Sequence, residues 1–239
     1  MFAHQKLTHI LIQLGKQHPI QDSFQWPMPK HDQFVIPDCN HDIYQQNIYL
    51  KQHYAAFMQN DATLAAHYWL IQQWGGIQSF KQNPKNDEKI HAFIQALEQQ
   101  KPSAKLYDSL PSLSKISSFL KPAEYVIYDA RVIYTLNWLI FVYDLDYDFF
   151  PQPVTRNSQL MKFEQRTLFN LFGCQRGYVA KSEAYLLFCR IIKDMVLDAN
   201  TPWTQPYEVE MLLFALAPEV IVQDIEQRVK LSLRDIECV

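Results

Sequence analysis

The sequence predicts a single, mostly α-helical domain. Apolar residues recur at helical spacing along most of the 239-residue chain, as at Leu7, Ile10 and Leu14. No segment resembles a run of paired strands, and no period of 20–50 residues repeats. Since domains hold about 100–200 residues, we expect one compact multi-helix domain, or two subdomains, 1–100 and 101–239, that share a core.

The first half of the chain predicts four helices, over residues 2–17, 43–59, 61–74 and 86–99. Asp61 is the expected N-cap of the third helix, which ends at Gly75–Gly76. Asn86 or Asp87 is the expected N-cap of the fourth. Four prolines make 19–42 an irregular connection, with a short strand as one interpretation of 34–36.

The second half predicts helices over residues 112–120, 129–143, 158–171, 180–198 and 207–216, followed by a helical tail at 219–235. The helix after Asp129 is apolar on nearly every face, which predicts that it is buried. A loop with two prolines is expected at 144–157.

Composition excludes several classes of function. The chain has only 5 Gly, with neither GxGxxG nor GxxxxGK[ST], so no dinucleotide or P-loop site is expected. The four cysteines include no CxxC pair and the histidines match no metal site, so we expect neither a metal nor a cofactor. The cysteines are interpreted as buried thiols of a reducing cytoplasm. The most apolar run, 136–142, is far shorter than a transmembrane helix. We therefore expect a cytoplasmic protein that does not associate with a membrane.

Basic residues concentrate in one window although the net charge is −3. Residues 156–193 hold seven Lys or Arg and two Glu, which makes the window about +5. A local basic patch on an otherwise neutral protein is typical of a phosphate-contacting surface, and a solvated helix face is the alternative. The predicted nucleic-acid contacts are Lys162, Arg166, Arg176 and Lys181.

The segment 110–132 holds the strongest candidate for chemistry. It joins a Leu-Pro turn, a short helix with Lys115, an apolar stretch, and Asp129 at the start of a buried helix. A helix N-cap alone accounts for an Asp at this position. The helix dipole also keeps such a carboxylate ionised, as an enzyme that excises a base requires.

This segment resembles the helix-hairpin-helix DNA glycosylase superfamily, which includes 8-oxoguanine DNA glycosylase. Its pattern is LPGVGxK, a helix, and an apolar stretch that ends in a catalytic Asp. The counterparts here are Leu110–Lys115 and Val126–Asp129. The chain is also similar to uncharacterised bacterial members with "SK…F…P…yDxRV" and a later acidic residue before "MxLF", which here is Glu208–Phe214.

The resemblance implies roles for individual residues. It implies that Asp129 and Lys115 are catalytic, with a phosphate contact as the alternative role of Lys115, and that Trp74, Arg131, Glu210 and Phe214 bind the substrate. Ser112 and Ser114 occupy the positions of the two hairpin glycines.

Lys115 precedes Asp129 by 14 residues, about one helical turn less than is usual in the family. This spacing predicts that Lys115 is misplaced relative to Asp129 by about 5 Å along the helix axis. No cation that would depress its pKa lies near Lys115 in the sequence. We therefore expect a monofunctional enzyme that releases a base through an activated water.

Three functions remain open. The first is a DNA glycosylase-like protein that excises or recognises a modified base in double-stranded DNA. The second is a nucleic-acid-binding protein of the same fold without the chemistry. The third is an interaction subunit of a bacterial defence or stress system. The Asp in its expected place favours the first, and the altered hairpin favours the other two.

Overall fold

A buried helix with apolar residues on nearly every face, Ala130–Val142, lies at the centre of the molecule. It packs against Pro206–Leu216, Ala217–Ile221 and Gln165–Leu171. The computed structural model describes residues 3–37, 42–101 and 104–230. Helices make up 62% of the structure, as expected for a mostly α-helical chain, and no strand occurs in these ranges. A single backbone bridge joins Phe149 and Tyr178.

The α-helices in the described ranges are α1 (Ala3–Gln17), α2 (Ile20–Ser23), α3 (Ile43–His53), α4 (Ala55–Gln59), α5 (Ala65–Trp69), α6 (Pro84–Glu98), α7 (Leu110–Leu120), α8 (Ala130–Val142), α9 (Ser158–Met161), α10 (Gln165–Leu171), α11 (Ala184–Val196), α12 (Pro206–Leu216) and α13 (Val222–Arg228). Two π-helical turns, Leu70–Trp74 and Ala217–Ile221, continue α5 and α12, and a 3₁₀ helix covers Ala104–Ser109.

Helix caps agree with the sequence at one site and differ at two. Asp129 is the N-cap of α8, as predicted, since its carboxylate accepts a hydrogen bond from the Arg131 N–H at 2.9 Å. The N-cap of α6 is Asn83 rather than Asn86 or Asp87, because Pro84 suits the first turn of a helix. Asp61 accepts from the Ala66 N–H at 2.6 Å, but it lies three residues before the N-cap of α5.

Three predicted elements are wrong in detail. The expected helix 158–171 is divided into α9 and α10, because the Glu164 carboxylate caps a new helix start by accepting from the Arg166 and Thr167 N–H groups. Residues 34–36 form no strand. The tail helix ends at Arg228, and 231–235 lie outside the described residues.

One continuous cluster of buried apolar side chains runs through the described chain from Leu7 to Val229. Both halves of the sequence contribute to this cluster. Cys189 is a buried free thiol and Cys174 a half-buried one, whereas Cys39 and Cys238 lie outside the described residues. None of the helices described is long and apolar enough to cross a bilayer.

Candidate functional site

A narrow cavity, here called the slot, opens between α3, the π-helical turn after α5, α7, the chain before α8, and α12. Its empty volume is about 440 Å³, but the centre of a water molecule can reach only about 40 Å³ of it. The slot is therefore narrow, and its lining joins aromatic side chains with a few charged and polar groups, as ligand pockets do. It is lined by Phe24, Trp26, Asn47, Lys51, Trp74, Gly75, Lys115, Ile127, Asp129, Glu210, Met211 and Phe214.

Asp129 is the charged group of the slot that solvent reaches most easily. Its side chain is 24% exposed, compared with 5% or less for the other three charged groups that line the slot. One carboxylate oxygen caps α8, and the other lies 3.9 Å from the Lys115 ammonium nitrogen. Asp129 thus combines the two interpretations that its sequence position leaves open, since it caps a helix and faces a cavity.

Lys115 lies beside Asp129, so the predicted displacement by one helical turn is wrong. Its Nζ also donates a hydrogen bond to the Pro111 carbonyl at 2.9 Å. Burial lowers the pKa of the Lys115 amine, while the charges of Asp129 and Glu210 oppose that shift. A neighbouring cation is therefore not required to depress this pKa.

The serines of the altered hairpin explain how Lys115 and Asp129 meet. The Ser114 hydroxyl accepts a hydrogen bond from the Tyr128 N–H at 3.0 Å, which fixes the stretch before Asp129 against the middle of α7. Ser112 and Ser114 are both buried within α7. They are structural side chains in this fold, and neither faces a surface where a phosphate could bind.

Gly75 lets the Lys115 stem enter the slot. A Cβ atom at this position would lie 2.5 Å from Lys115 Cε and 2.7 Å from the Ile71 carbonyl oxygen. The π-helical turn ends here, with the Gly75 N–H bonded to the Leu70 carbonyl. Turns of this kind are frequent at functional sites.

The floor of the slot holds a second buried ion pair, which the sequence analysis missed. Lys51 Nζ lies 3.6 Å from Glu210 Oε2, with side-chain exposures of 1% and 4%. Lys51 also donates to the Ser118 hydroxyl at 3.0 Å and lies over the Phe119 ring at 4.4 Å. Burial lowers the pKa of Lys51 to about 8 and raises that of Glu210.

Aromatic rings form a wall of the slot. The Phe214 ring contacts Trp26 and Phe24, with centroids 5.4 and 5.8 Å apart. The Arg131 guanidinium lies over Phe214 at 4.6 Å and over Trp26 at 5.6 Å. Arg131 therefore supports this wall from behind the lining residues rather than lining the slot itself.

Trp74 is held in a network that fixes the shape of the slot. Its indole N–H donates to the Asn47 side-chain oxygen at 2.7 Å, and the Trp26 indole donates to the Trp74 carbonyl at 2.7 Å. The Asn47 amide in turn donates to the Trp26 carbonyl at 3.0 Å. Trp74 is 5% exposed, so it is a wall residue of the slot.

The structure thus brings together residues that are far apart in the sequence. Asp129, Lys115, Trp74, Glu210 and Phe214, all named from the sequence, line one cavity. The lining residues that the sequence analysis did not name as site residues are Phe24, Trp26, Asn47, Lys51, Gly75, Ile127 and Met211. Asn47 and Lys51 lie four residues apart on the buried side of α3, whose weak amphipathic pattern does not mark that side in the sequence.

The four predicted nucleic-acid contacts lie elsewhere, and most are bound to other side chains. Lys162 pairs with Glu226 at 3.3 Å, and Lys181 pairs with Asp108 at 3.9 Å. Arg166 lies over the Tyr178 ring at 5.7 Å.

Arg176 has a structural role that corrects the prediction of a phosphate contact. Its guanidinium donates to the carbonyls of Leu145 and Tyr147 and pairs with Asp144 at 2.6 Å. These bonds hold the loop 144–147 in place.

Arg166 and Lys181 line a second, open cavity, here called the groove. Water centres can reach about 870 Å³ of it. Pro111, whose carbonyl accepts from Lys115, is also in its lining. Gln152 lines the groove too and donates to the Ala130 carbonyl at 2.7 Å, one residue after Asp129. The groove therefore abuts the elements that carry Lys115 and Asp129.

Within the described residues, no group of three or more His, Cys, Asp or Glu side chains is arranged to hold a metal ion. Comparison with protein-family models, with curated proteins and with solved structures found no match to this chain.

Proposed function

We propose that the protein is a DNA glycosylase-like protein that accepts a modified base of double-stranded DNA in the slot. The observation that carries the proposal is the Lys115–Asp129 pair, 3.9 Å apart in a narrow, aromatic-walled cavity. Enzymes that act on a base turn it out of the helix into a pocket where aromatic rings contact its faces. The slot has the aromatic lining that this requires, and its walls must move apart to admit a whole base.

Asp129 and Lys115 are suited to complementary steps of base release. When a base leaves a sugar, positive charge develops on the sugar, and a nearby carboxylate such as Asp129 stabilises it. The Lys115 amine is a nucleophile once it is deprotonated, and burial favours that form. Its nitrogen bonds to the sugar carbon, the base leaves with the electrons of the broken bond, and Asp129 accepts the amine's proton.

The structure changes the expectation about Lys115. The two reasons for a monofunctional enzyme were a misplaced lysine and an unperturbed amine. Lys115 lies at ion-pair distance from Asp129, and burial lowers its pKa. We therefore assign Lys115 the role of nucleophile in place of the activated water.

A second candidate is a protein that binds nucleic acid without chemistry. The hairpin favours it, because Ser112 and Ser114 stand in place of the two glycines of the glycosylase pattern and are buried within α7. The two candidates share the fold and the slot. They differ in whether the base is released.

The test is base release from duplex oligonucleotides that each carry one modified base, detected as strand breakage at the abasic site after alkali. Borohydride added during the reaction traps any covalent intermediate between an amine and the sugar. We expect one duplex of the panel to lose its base and to yield a protein–DNA adduct that is absent in Lys115→Gln.

The control variant is Lys105→Gln, which changes a lysine outside the slot and should retain the adduct. Base release without an adduct would return the nucleophile to water. Binding without release for every duplex would favour the second candidate.

A further inference from the structure

The floor of the slot presents two charged side chains whose hydrogen bonds are incomplete. Glu210 Oε2 is buried and accepts no hydrogen bond from any residue that the structure describes. A buried acceptor without a donor is rare in folded proteins, since it loses its bonds to water without replacement. It therefore points to a ligand that supplies the donor.

Lys51 does not fill that position. Its Nζ is 3.6 Å from Glu210 Oε2, which is longer than a hydrogen bond although it is close enough for charge attraction. An ammonium group has three N–H donors, and the Ser118 hydroxyl takes one of them at 3.0 Å. The floor thus combines an acceptor at Glu210 with a donor at Lys51, 3.6 Å apart.

We propose that the floor of the slot binds the lactam edge of a flat nitrogen heterocycle, in which an N–H lies beside a C=O. The ring N–H donates to Glu210 Oε2, and the carbonyl oxygen accepts from Lys51 Nζ. In a lactam these two groups point the same way from neighbouring atoms, so two parallel bonds reach two protein atoms a few ångströms apart. This inference rests on the proposed function, because a nucleobase is such a heterocycle.

The charges of the slot favour a neutral ligand over an ion. At the floor, the Lys51 ammonium and the Glu210 carboxylate balance each other. A phosphate at the floor would meet the Glu210 carboxylate, and a metal cation would meet the Lys51 ammonium. A neutral ring avoids both repulsions, and the aromatic wall of Phe214 and Trp26 suits its faces.

The same groups favour a lactam over an amidine edge, in which an amino group lies beside a ring nitrogen. A carboxylate only accepts, so the ligand must donate to Glu210. An ammonium forms its strongest bond to the acceptor with the most negative charge, and a carbonyl oxygen carries two lone pairs in its plane. A ring nitrogen carries only one lone pair, so it is the weaker acceptor for Lys51.

The test compares three free bases that share one ring system. Hypoxanthine has the lactam edge, 6-methoxypurine keeps the oxygen but lacks the N–H, and adenine has the amidine edge. Binding is measured by saturation-transfer NMR and by quenching of tryptophan fluorescence, since Trp26 and Trp74 line the slot. We expect hypoxanthine to bind about tenfold or more tightly than 6-methoxypurine, which has no N–H on this edge to pair with Glu210, and also more tightly than adenine, whose ring nitrogen is the weaker acceptor for Lys51.

The variant that probes the same contact is Glu210→Gln, in which the side-chain amide can donate as well as accept. It should bring the affinities for hypoxanthine and 6-methoxypurine within about threefold of each other. The control is Glu219→Gln, an exposed position that should keep the wild-type preference. Thermal unfolding of both variants shows whether the fold is retained, and the wild-type comparison does not depend on either variant.

Equal binding of the three bases, or no binding of hypoxanthine up to its solubility limit, would overturn the lactam assignment. The outcome is separable from that of the proposed function. Base release from a duplex together with unselective binding of free bases would remove this inference alone. Selective binding of hypoxanthine without release from any duplex would remove the glycosylase proposal and keep the lactam site.

Discussion

The slot and the groove use the same kinds of charged side chain in opposite ways. In the slot, Lys51 and Glu210 are almost fully buried, and one carboxylate oxygen has no donor among the described residues. In the groove, Lys181 pairs with Asp108 while both side chains remain more than half exposed. In the slot, a buried carboxylate oxygen has lost its bonds to water without replacement, so a ligand that donates to it would stabilise it. In the groove, the exposed pair remains hydrated, so a ligand would add little.

This difference shows that charge density along the sequence is a weak guide to where a ligand binds. The window 156–193 has the highest positive charge, yet Arg176 and Lys162 are used within the protein. Lys51 has no such cluster around it in the sequence, yet burial changes its pKa and its hydrogen bonding. Burial and missing partners identify the candidate site.

The largest effect that separates the two regions is on stability. Removing one partner of a buried ion pair leaves an uncompensated charge and costs about 3–5 kcal/mol. We expect Lys51→Met to lower the free energy of unfolding in urea by that amount. Lys181→Met breaks an exposed pair and should cost about 0–1 kcal/mol.

The double variant Lys51→Met with Glu210→Leu sharpens this comparison. Replacing both charges of a buried pair by apolar groups is often neutral or stabilising, so the double variant should regain much of the loss. Similar costs for Lys51→Met and Lys181→Met would mean that the floor of the slot is hydrated, and the contrast between the two regions would fail.

An intermediate effect is expected at Arg176. Hydrogen bonds that involve a charged group contribute about 1.5–3 kcal/mol, and this guanidinium holds the loop 144–147 by its carbonyls. Arg176→Ala should therefore lower the free energy of unfolding by about 1–3 kcal/mol. Arg190→Ala, an exposed position in the same window, should leave it nearly unchanged. Equal stabilities of Arg176→Ala and Arg190→Ala would mean that the hydrogen bonds of Arg176 contribute little to the fold. Its guanidinium would then be available to a ligand.

The smallest effect concerns DNA affinity. Each phosphate that a protein neutralises contributes about −0.9 to the slope of log affinity against log salt. The Arg166 guanidinium lies over the Tyr178 ring and near the Glu164 charge, but it forms no salt bridge with a described residue, so Arg166→Ala should flatten this slope by about one. Lys162→Ala should change it less, because Lys162 already pairs with Glu226. A wild-type slope near zero would exclude a duplex partner on this face.

The sequence predicted the parts of the site that depend on local structure. Asp129 was recognisable because an N-cap before an apolar helix is a local pattern, and Lys115 and Glu210 were named from two short motifs, 110–115 and 208–214. Phe24 and Trp26 were missed because they lie in the irregular connection 19–42, where no periodicity marks a side chain as buried.

The register between Lys115 and Asp129 could not be predicted from the sequence. The prediction from the 14-residue spacing assumes that the chain between α7 and Asp129 runs as it does in the glycosylase family. In this structure the Ser114 hydroxyl bonds to the Tyr128 N–H and holds the residue before Asp129 against α7. The pair Lys51–Glu210 joins residues 159 positions apart, so its existence depends on how α3 and α12 pack. Tertiary contacts of this length leave no trace in the spacing of motifs.

The most direct measurement of the central claim is base release by wild type and by Asp129→Asn on the same duplexes. Asparagine caps a helix about as well as aspartate, so Asp129→Asn should lose only the stability that the partly exposed ion pair with Lys115 contributes, and it should remain folded in urea titrations. It cannot supply the negative charge that base release requires. We predict that Asp129→Asn remains folded and loses base release, whereas Asp146→Asn, an exposed control, keeps both its fold and its base release. Equal base release by wild type and Asp129→Asn would contradict the assignment of the slot as a site of base excision.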